Sequence, residues 1–261
     1  MQVQTVYVQG VKDVNEDELL VGKDIFGVFD GATGLVPYRN GIDETGGQIA
    51  ARIAKKVFAS SSEPLEKLAI KANTEIAYAM TQNGIDTSNA VHRWSTTAAV
   101  VRVREDVLEF TAIGDSCILG ILSDGGYRLL VPYQNQDAPL LQVRKSLTSE
   151  EKRERLMSLR KEANVTYGCL NGDARAERFL HTGRYEKALF DSVLIFTDGL
   201  MLPKRDALGD EDWNTFVELH RAGGLQNIVK YVRTQEKADS SCERFPRFKI
   251  HDDVAAIAIN F

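Results

Sequence analysis

Cysteine is scarce in this 261-residue chain, and its three copies, Cys117, Cys169 and Cys242, stand far apart. An odd number without a paired spacing offers no disulfide frame and no zinc site, and fits reduced thiols in a cytoplasmic protein. No apolar run approaches the ~20 residues needed to span a bilayer. The opening MQVQTVYVQG also lacks the basic start and apolar core of a secretion signal. A soluble, cytoplasmic protein without a membrane partner is expected. No Lys/Arg block offsets the net charge of -5, which argues against a nucleic-acid surface. Repeats, low-complexity tracts and composition breaks are missing too, so one domain over residues 1–261 is expected, with enough chain for a substantial core. Side-chain nucleophiles find little support: neither Ser95 nor Ser116 lies in a nucleophile-elbow pattern, and no cysteine begins a Cys-loop-Arg signature.

What the chain does contain is a recurring junction of apolar strand and carboxylate. Ile25 to Gly31 reads IFGVFDG, a buried strand that stops on Asp30. Val193 to Phe196 runs likewise into Thr197, Asp198 and Gly199. A single Asp-Gly also fits an ordinary turn after a strand. Two further acidic sites shift the balance: His251-Asp252-Asp253 leads into Val254 to Ile259, and Asn15-Glu16-Asp17 precedes Leu19 to Val21. Carboxylates gathered at strand ends suit a hard divalent cation, which takes oxygen ligands and keeps several waters.

Between these junctions the patterning alternates strands and helices. Val3 to Val8 opens the chain as a strand, and Leu19 to Val21 with Ile25 to Phe29 forms a hairpin that brings Glu16 near Asp30. After an irregular loop over 31–47, Ile49, Ile53 and Val57 recur at helical spacing. Ser62 and Pro64 then start a second helix that ends at Asn83-Gly84. Strands are expected over Ser95 to Val103, Val107 to Ile113, Cys117 to Leu122 and Tyr127 to Val131, antiparallel because their connections are short. A polar, flap-like segment at about 134–165 carries a Thr148–Glu151 capping box and a highly charged helix through Arg160. Its charges read as a solvated face, or alternatively as a partly basic flap that guides an anionic substrate. Helices near Asp212 to Arg221 and Leu225 to Glu236 precede the closing strand. Helices bracketed by antiparallel strands make the class α+β.

With these residues in hand, the chain resembles the metal-dependent protein phosphatases of type 2C, the PPM family. Six short motifs follow the family's order across almost the whole length: KDVNED, VFDGATG, WSTTAAVV, AIGDSCILG, LIFTDGL and HDDVAAIAI. The resemblance implies a four-layer αββα sandwich, two packed antiparallel β-sheets flanked by helices. It implies hydrolysis of phosphoserine or phosphothreonine in a phosphorylated protein, by a water or hydroxide bridging two Mn²⁺ or Mg²⁺ ions and without a phosphoenzyme. Asp30 then resembles the carboxylate shared by both metals, and Gly31 the glycine whose carbonyl binds one. Asp198 and Asp252 resemble the other ligands of the first metal, Glu16 the ligand beside the second, and Asp17 the neighbour that orders metal-bound waters. Asp115 resembles the position of a weaker third ion. Asp30 and Asp198 are accordingly the expected catalytic pair, and a monomer is the default.

Departures from the pattern qualify that reading. Ala32 stands where the family's proposed proton donor, a histidine, is usual, and Asp253 where an asparagine is common. Lys12 occupies the place of a phosphate-binding arginine, keeping the charge but losing the bidentate fork. Loss of a general acid costs on the order of 10²-fold in rate. His92 and His181 are substitute acids only if the fold brings them to the cleft; His251 is read as positioning its strand or facing solvent. Trp94 and Trp213 read as packing residues. A catalytically silent relative that binds a partner or a phosphorylated ligand is the alternative.

Overall fold

The computed structural model describes residues 1–32, 34–36, 38 and 44–261. Its strands are β1 (Gln2–Val8), β2 (Asp17–Val21), β3 (Ile25–Asp30), β4 (Ala98–Val103), β5 (Val107–Ile113), β6 (Cys117–Leu122), β7 (Tyr127–Leu129), β8 (His181–Glu186), β9 (Phe190–Phe196) and β10 (Val254–Asn260). Helices are α1 (Gly46–Ala59), α2 (Leu65–Gln82), α3 (Ala138–Val143), α4 (Ser149–Lys161) and α5 (Trp213–Ala238). One antiparallel sheet runs β1-β10-β9-β6-β7 and the other β2-β3-β4-β5-β8.

Strand periodicity explains the layering. Along β3, Phe26 and Val28 point between the sheets, while Ile25 and Phe29 point out against α1 and α2. In β9, Val193 and Ile195 enter the same inter-sheet core, and Leu194 and Phe196 turn out toward α5. Central strands are thus apolar on both faces, because each sheet is covered on both sides. Each fully buried side chain of this kind contributes roughly 1.5–3 kcal/mol. Three cores result: helices on sheet, sheet on sheet, and sheet on α5. The expected α+β, four-layer sandwich is the observed one. Trp94 and Trp213 sit in the two outer layers, Trp94 against Tyr38 and Trp213 against Phe196 and Phe216.

Several local expectations need correction. β5 and β6 do not pair; they belong to different sheets, and Gly114, at φ +88°, turns the chain from one sheet to the other. A short connection dictates antiparallel direction only when both strands share a sheet. The strand expected from Ser95 begins at Ala98, because Thr96 makes only single bridges, to Gly31 and Leu170. The one expected to reach Val131 ends at Leu129. Ser62 does not cap α2, whose N-cap is Pro64 without a side-chain bond. β8 and α3 were not foreseen: HTGRYE is a largely exposed edge strand with no apolar alternation, and α3 is six residues long. The two late helices form one element broken at Gly223 and Gly224, the latter at φ +68°. The Thr148–Glu151 capping box forms as expected. Of the loop expected over 31–47, residues 33, 37 and 39–43 lie outside the described residues. Among the described residues, no helix is long and apolar enough to cross a membrane.

Candidate functional site

Strand pairing gathers the acidic residues at one end of the sandwich. Asp30 ends β3, and its register partner across the hairpin is Asp17 in β2. The Gly31 amide donates to the Glu16 carbonyl at 3.1 Å, closing the hairpin mouth. Thr197 follows β9; its hydroxyl donates to Asp17 Oδ2 at 2.7 Å and accepts from the Ala255 amide at 3.0 Å, tying β9 and β10 to the opposite sheet. Asp115 lies just past the Gly114 crossover, beside Ser116, whose hydroxyl bonds Thr97 Oγ1 at 2.6 Å. The glycines after Asp30 and Asp198 have no positive φ. They are needed for space: a Cβ on Gly31 would come within 2.5 Å of the Glu16 and Gly47 carbonyl oxygens, and one on Gly199 would overlap the Asp253 carbonyl.

The result is a cleft of about 330 Å³ bordered by Asp30, Gly31, Asp115, Asp198 and Asp252, with Lys12, Lys249 and Arg160 on its walls. Burial, then repulsion from Asp17, Asp115 and Asp252, holds the Asp30 carboxyl well above the usual carboxylate range, with Lys249 opposing. Asp198 is raised in the same way, by burial and then by Asp30, Asp252 and Asp115. Asp17 lies buried beneath them and is raised chiefly by burial, against the pull of the Thr197 hydrogen bond. Burial and then the Asp137 charge push Asp115 up to about 6, although Gln136 Nε2 donates to its Oδ2 at 2.7 Å.

Other expected residues are placed differently. Glu16 is buried, but its carboxylate faces an adjoining pocket, where Oε1 accepts from Thr45 Oγ1 at 2.6 Å and Oε2 pairs with Lys12. Lys12 borders both spaces. Asp253 has a backbone-holding position: its Oδ1 accepts from the Gly10 amide at 2.7 Å and its Oδ2 from the Glu16 amide at 3.0 Å. Ala32 lines the cleft beside Asp30. Among the described residues, no histidine borders that cleft: His92 faces the adjoining pocket, His181 lies exposed on β8, and His251 Nδ1 is 2.7 Å from Glu236 Oε2. Cys169 does border it, but burial pushes its thiol up to about 12, leaving no thiolate nucleophile near neutral pH.

Lys249 and Gln136 are among the cleft residues that escaped the reading of the sequence, as is Asp137. Lys249 pairs with Asp252 Oδ1. Burial opposes its charge, yet Asp252, Asp198 and Asp30 outweigh burial and raise its pKa. The signal was a basic residue three positions before an acidic pair, in KIHDD. Gln136 lies in the polar segment, whose spacing shows no pattern. Arg160, on α4, turns part of that charged helix into the cleft, while most of α4 faces solvent.

The donor set is made of oxygens alone and carries mutual repulsion that a divalent cation would relieve, so the chemistry fits a hard metal. Among the described residues, however, no three His, Cys, Asp or Glu side chains close into a ready-made ligand group. Asp252 is engaged by Lys249.

Sandwich and acidic cleft together define the class of the molecule, and sequence comparison agrees. Residues 12–236 match the family model described as Protein phosphatase 2C. The chain belongs to the protein phosphatase 2C family. No curated protein matches it in a sequence search. Solved structures share the fold at low identity. The catalytic domain of serine/threonine protein phosphatase PstP, in complex with two manganese ions, is 17% identical, with TM-score 0.63 over 99% of this chain and 97% of that one. Serine/threonine phosphatase Stp1 from Staphylococcus aureus is 16% identical, with TM-score 0.61 over 100% and 94%. PppA from Pseudomonas aeruginosa, a regulatory component of T6SS, is 16% identical, with TM-score 0.61 over 100% and 97%.

Proposed function

We propose that this protein is a Mn²⁺- or Mg²⁺-dependent phosphatase acting on phosphoserine or phosphothreonine in proteins. The observation that carries the reading is the convergence of Asp30, Asp198, Asp252 and Asp115, from four separate segments, on one cleft. Family membership supports the class of reaction, and PstP, solved with two manganese ions, supports the kind of metal. In this reading Asp30 and the Gly31 carbonyl, with Asp198 and Asp252, hold the metals. Asp17 lies beneath them to order solvent, Glu16 serves from the adjoining pocket, and Asp115 holds a weaker ion. A divalent metal held there would supply an activated water and neutralise phosphate charge.

The chain's own side chains do the rest. Lys12, at the boundary of the two pockets, offers an ammonium to the phosphate oxygens. Arg160 adds a second cation from the flap-like segment. Ala32, at the cleft wall, has no side chain that could protonate the leaving oxygen. Substrates with good leaving groups should therefore turn over best.

A silent binding module is the second reading, favoured by Ala32 and by the Lys249–Asp252 pair. Hydrolysis of p-nitrophenyl phosphate in Mn²⁺, by the wild type and by Asp30→Asn and Asp198→Asn, decides between them. The phosphatase reading expects metal-dependent turnover that falls at least ~10²-fold in each variant. Turnover without metal, or turnover undiminished in both variants, refutes it. Micromolar phosphopeptide binding with no turnover at all favours the silent module.

A further inference from the structure

The carboxylates of the cleft are served by two kinds of positive charge. Arg160 acts on Asp115 and Asp137, at the flap side, and Lys249 also reaches Asp137. Lys249 acts on the other group: its ammonium pairs with Asp252 Oδ1 and lies within electrostatic reach of Asp198 and Asp30. It approaches from the segment just before β10, on a four-carbon stem whose side chain is 25% exposed. Lys249 also borders a second pocket, lined by Lys204, Glu211 and Glu236, that shares Asp198 and Asp252 with the main cleft. In that second pocket Glu211 is paired with Lys204, and Glu236 with Arg233 and His251, so Asp252 is the carboxylate that holds the Lys249 ammonium.

We propose that Lys249 is a built-in counter-cation of the cleft, holding Asp252 until a divalent ion takes that carboxylate, so that lysine and metal compete for one ligand. The proposal rests on the metal-binding reading given above. Its physical basis is charge. Asp252 Oδ1 already accepts from the Lys249 ammonium and from the Asp253 amide, the latter at 2.8 Å, so an ion taking this carboxylate enters beside an ammonium and meets repulsion that in a half-buried site is weakly screened. Lysine suits the role because its charge is compact and its stem flexible, whereas a guanidinium fork would bind the carboxylate more rigidly.

Calorimetric titration of the metal-stripped full chain with MnCl₂ tests this. Lys249→Gln and Lys249→Met should each bind Mn²⁺ about tenfold more tightly than wild type, as expected for removal of one nearby positive charge. Lys249→Arg, which keeps the charge, should bind no more tightly than wild type. A second measurement needs no variant: acetic anhydride labelling of wild-type Lys249, followed by peptide mass spectrometry, should rise when Mn²⁺ saturates the protein, because the ammonium has left Asp252. Unchanged or weaker affinity in both neutral variants overturns the proposal, as does labelling that Mn²⁺ does not alter. Failure of the proposal is distinguishable from failure of the metal reading. If wild type binds Mn²⁺ and Asp30→Asn does not, while the Lys249 variants match wild type, only the counter-cation is refuted. If no form binds Mn²⁺, both fall.

Discussion

Replacing Asp115 by asparagine should make the metal-free protein more stable, although it removes a proposed ligand. Asp115 is 8% exposed and its folded-state pKa is pushed from 3.8 up to about 6 by burial and then by Asp137. A carboxyl whose pKa rises on folding keeps its proton in the folded state while the unfolded chain has already released its own. Stability is therefore full below pH 3.8, declines between there and about 6, and stays reduced at higher pH. At about 1.4 kcal/mol per unit, the cost above pH 6 is on the order of 3 kcal/mol, an upper limit because Asp137 shares the repulsion. The substituted amide does not ionise, and its oxygen still accepts from Gln136 Nε2. The Asp115→Asn variant should gain about 1–3 kcal/mol at pH 8, or roughly 3–8 °C in Tm for a chain of this size, and no more than about 0.5 kcal/mol at pH 4. Thermal unfolding in EDTA at the two pH values measures this. A variant less stable than wild type at pH 8, or shifted equally at both pH values, would falsify the electrostatic account of the cleft.

Gly199→Ala places a methyl group against the Asp253 carbonyl, so the backbone beside Asp198 must shift. A loss of about 1–3 kcal/mol in urea unfolding, with weaker Mn²⁺ binding by calorimetry, is expected, and unaltered stability counts against this packing. Ala32→His puts an imidazole at the cleft wall next to Asp30. Its kcat on a phosphoserine peptide should rise about tenfold while that on p-nitrophenyl phosphate, whose leaving group needs no proton, changes little. An unchanged ratio of the two rates rejects the claim that the missing acid limits turnover.

Much of the architecture was visible in the pattern of β3, β9 and β10. Each is apolar at successive positions, which requires cover on both faces and so an inner layer of a sandwich. Asp30, Asp198 and Asp252 were legible for the same reason: a charge at the end of a buried run has to meet solvent, a cation or a partner. β8 was not legible, because an exposed edge strand buries too little to show a period. Lys249 was missed because a lone lysine in a polar stretch is ordinary until the fold shows which carboxylate it meets.

Sequence alone determined which stretches are buried, where the carboxylates interrupt them, and the order of motifs that marks a type 2C phosphatase. Folding decided how those pieces meet. It sent β5 and β6 into different sheets and turned Glu16 toward an adjoining pocket. It gave Asp253 to backbone amides of residues 10 and 16, and set Lys249 on Asp252. The reason is physical: periodicity reports the environment of one strand at a time, whereas the charge of a site is a sum over groups far apart in the chain. Only packing sets their distances, and Coulomb energies depend on distance before anything else.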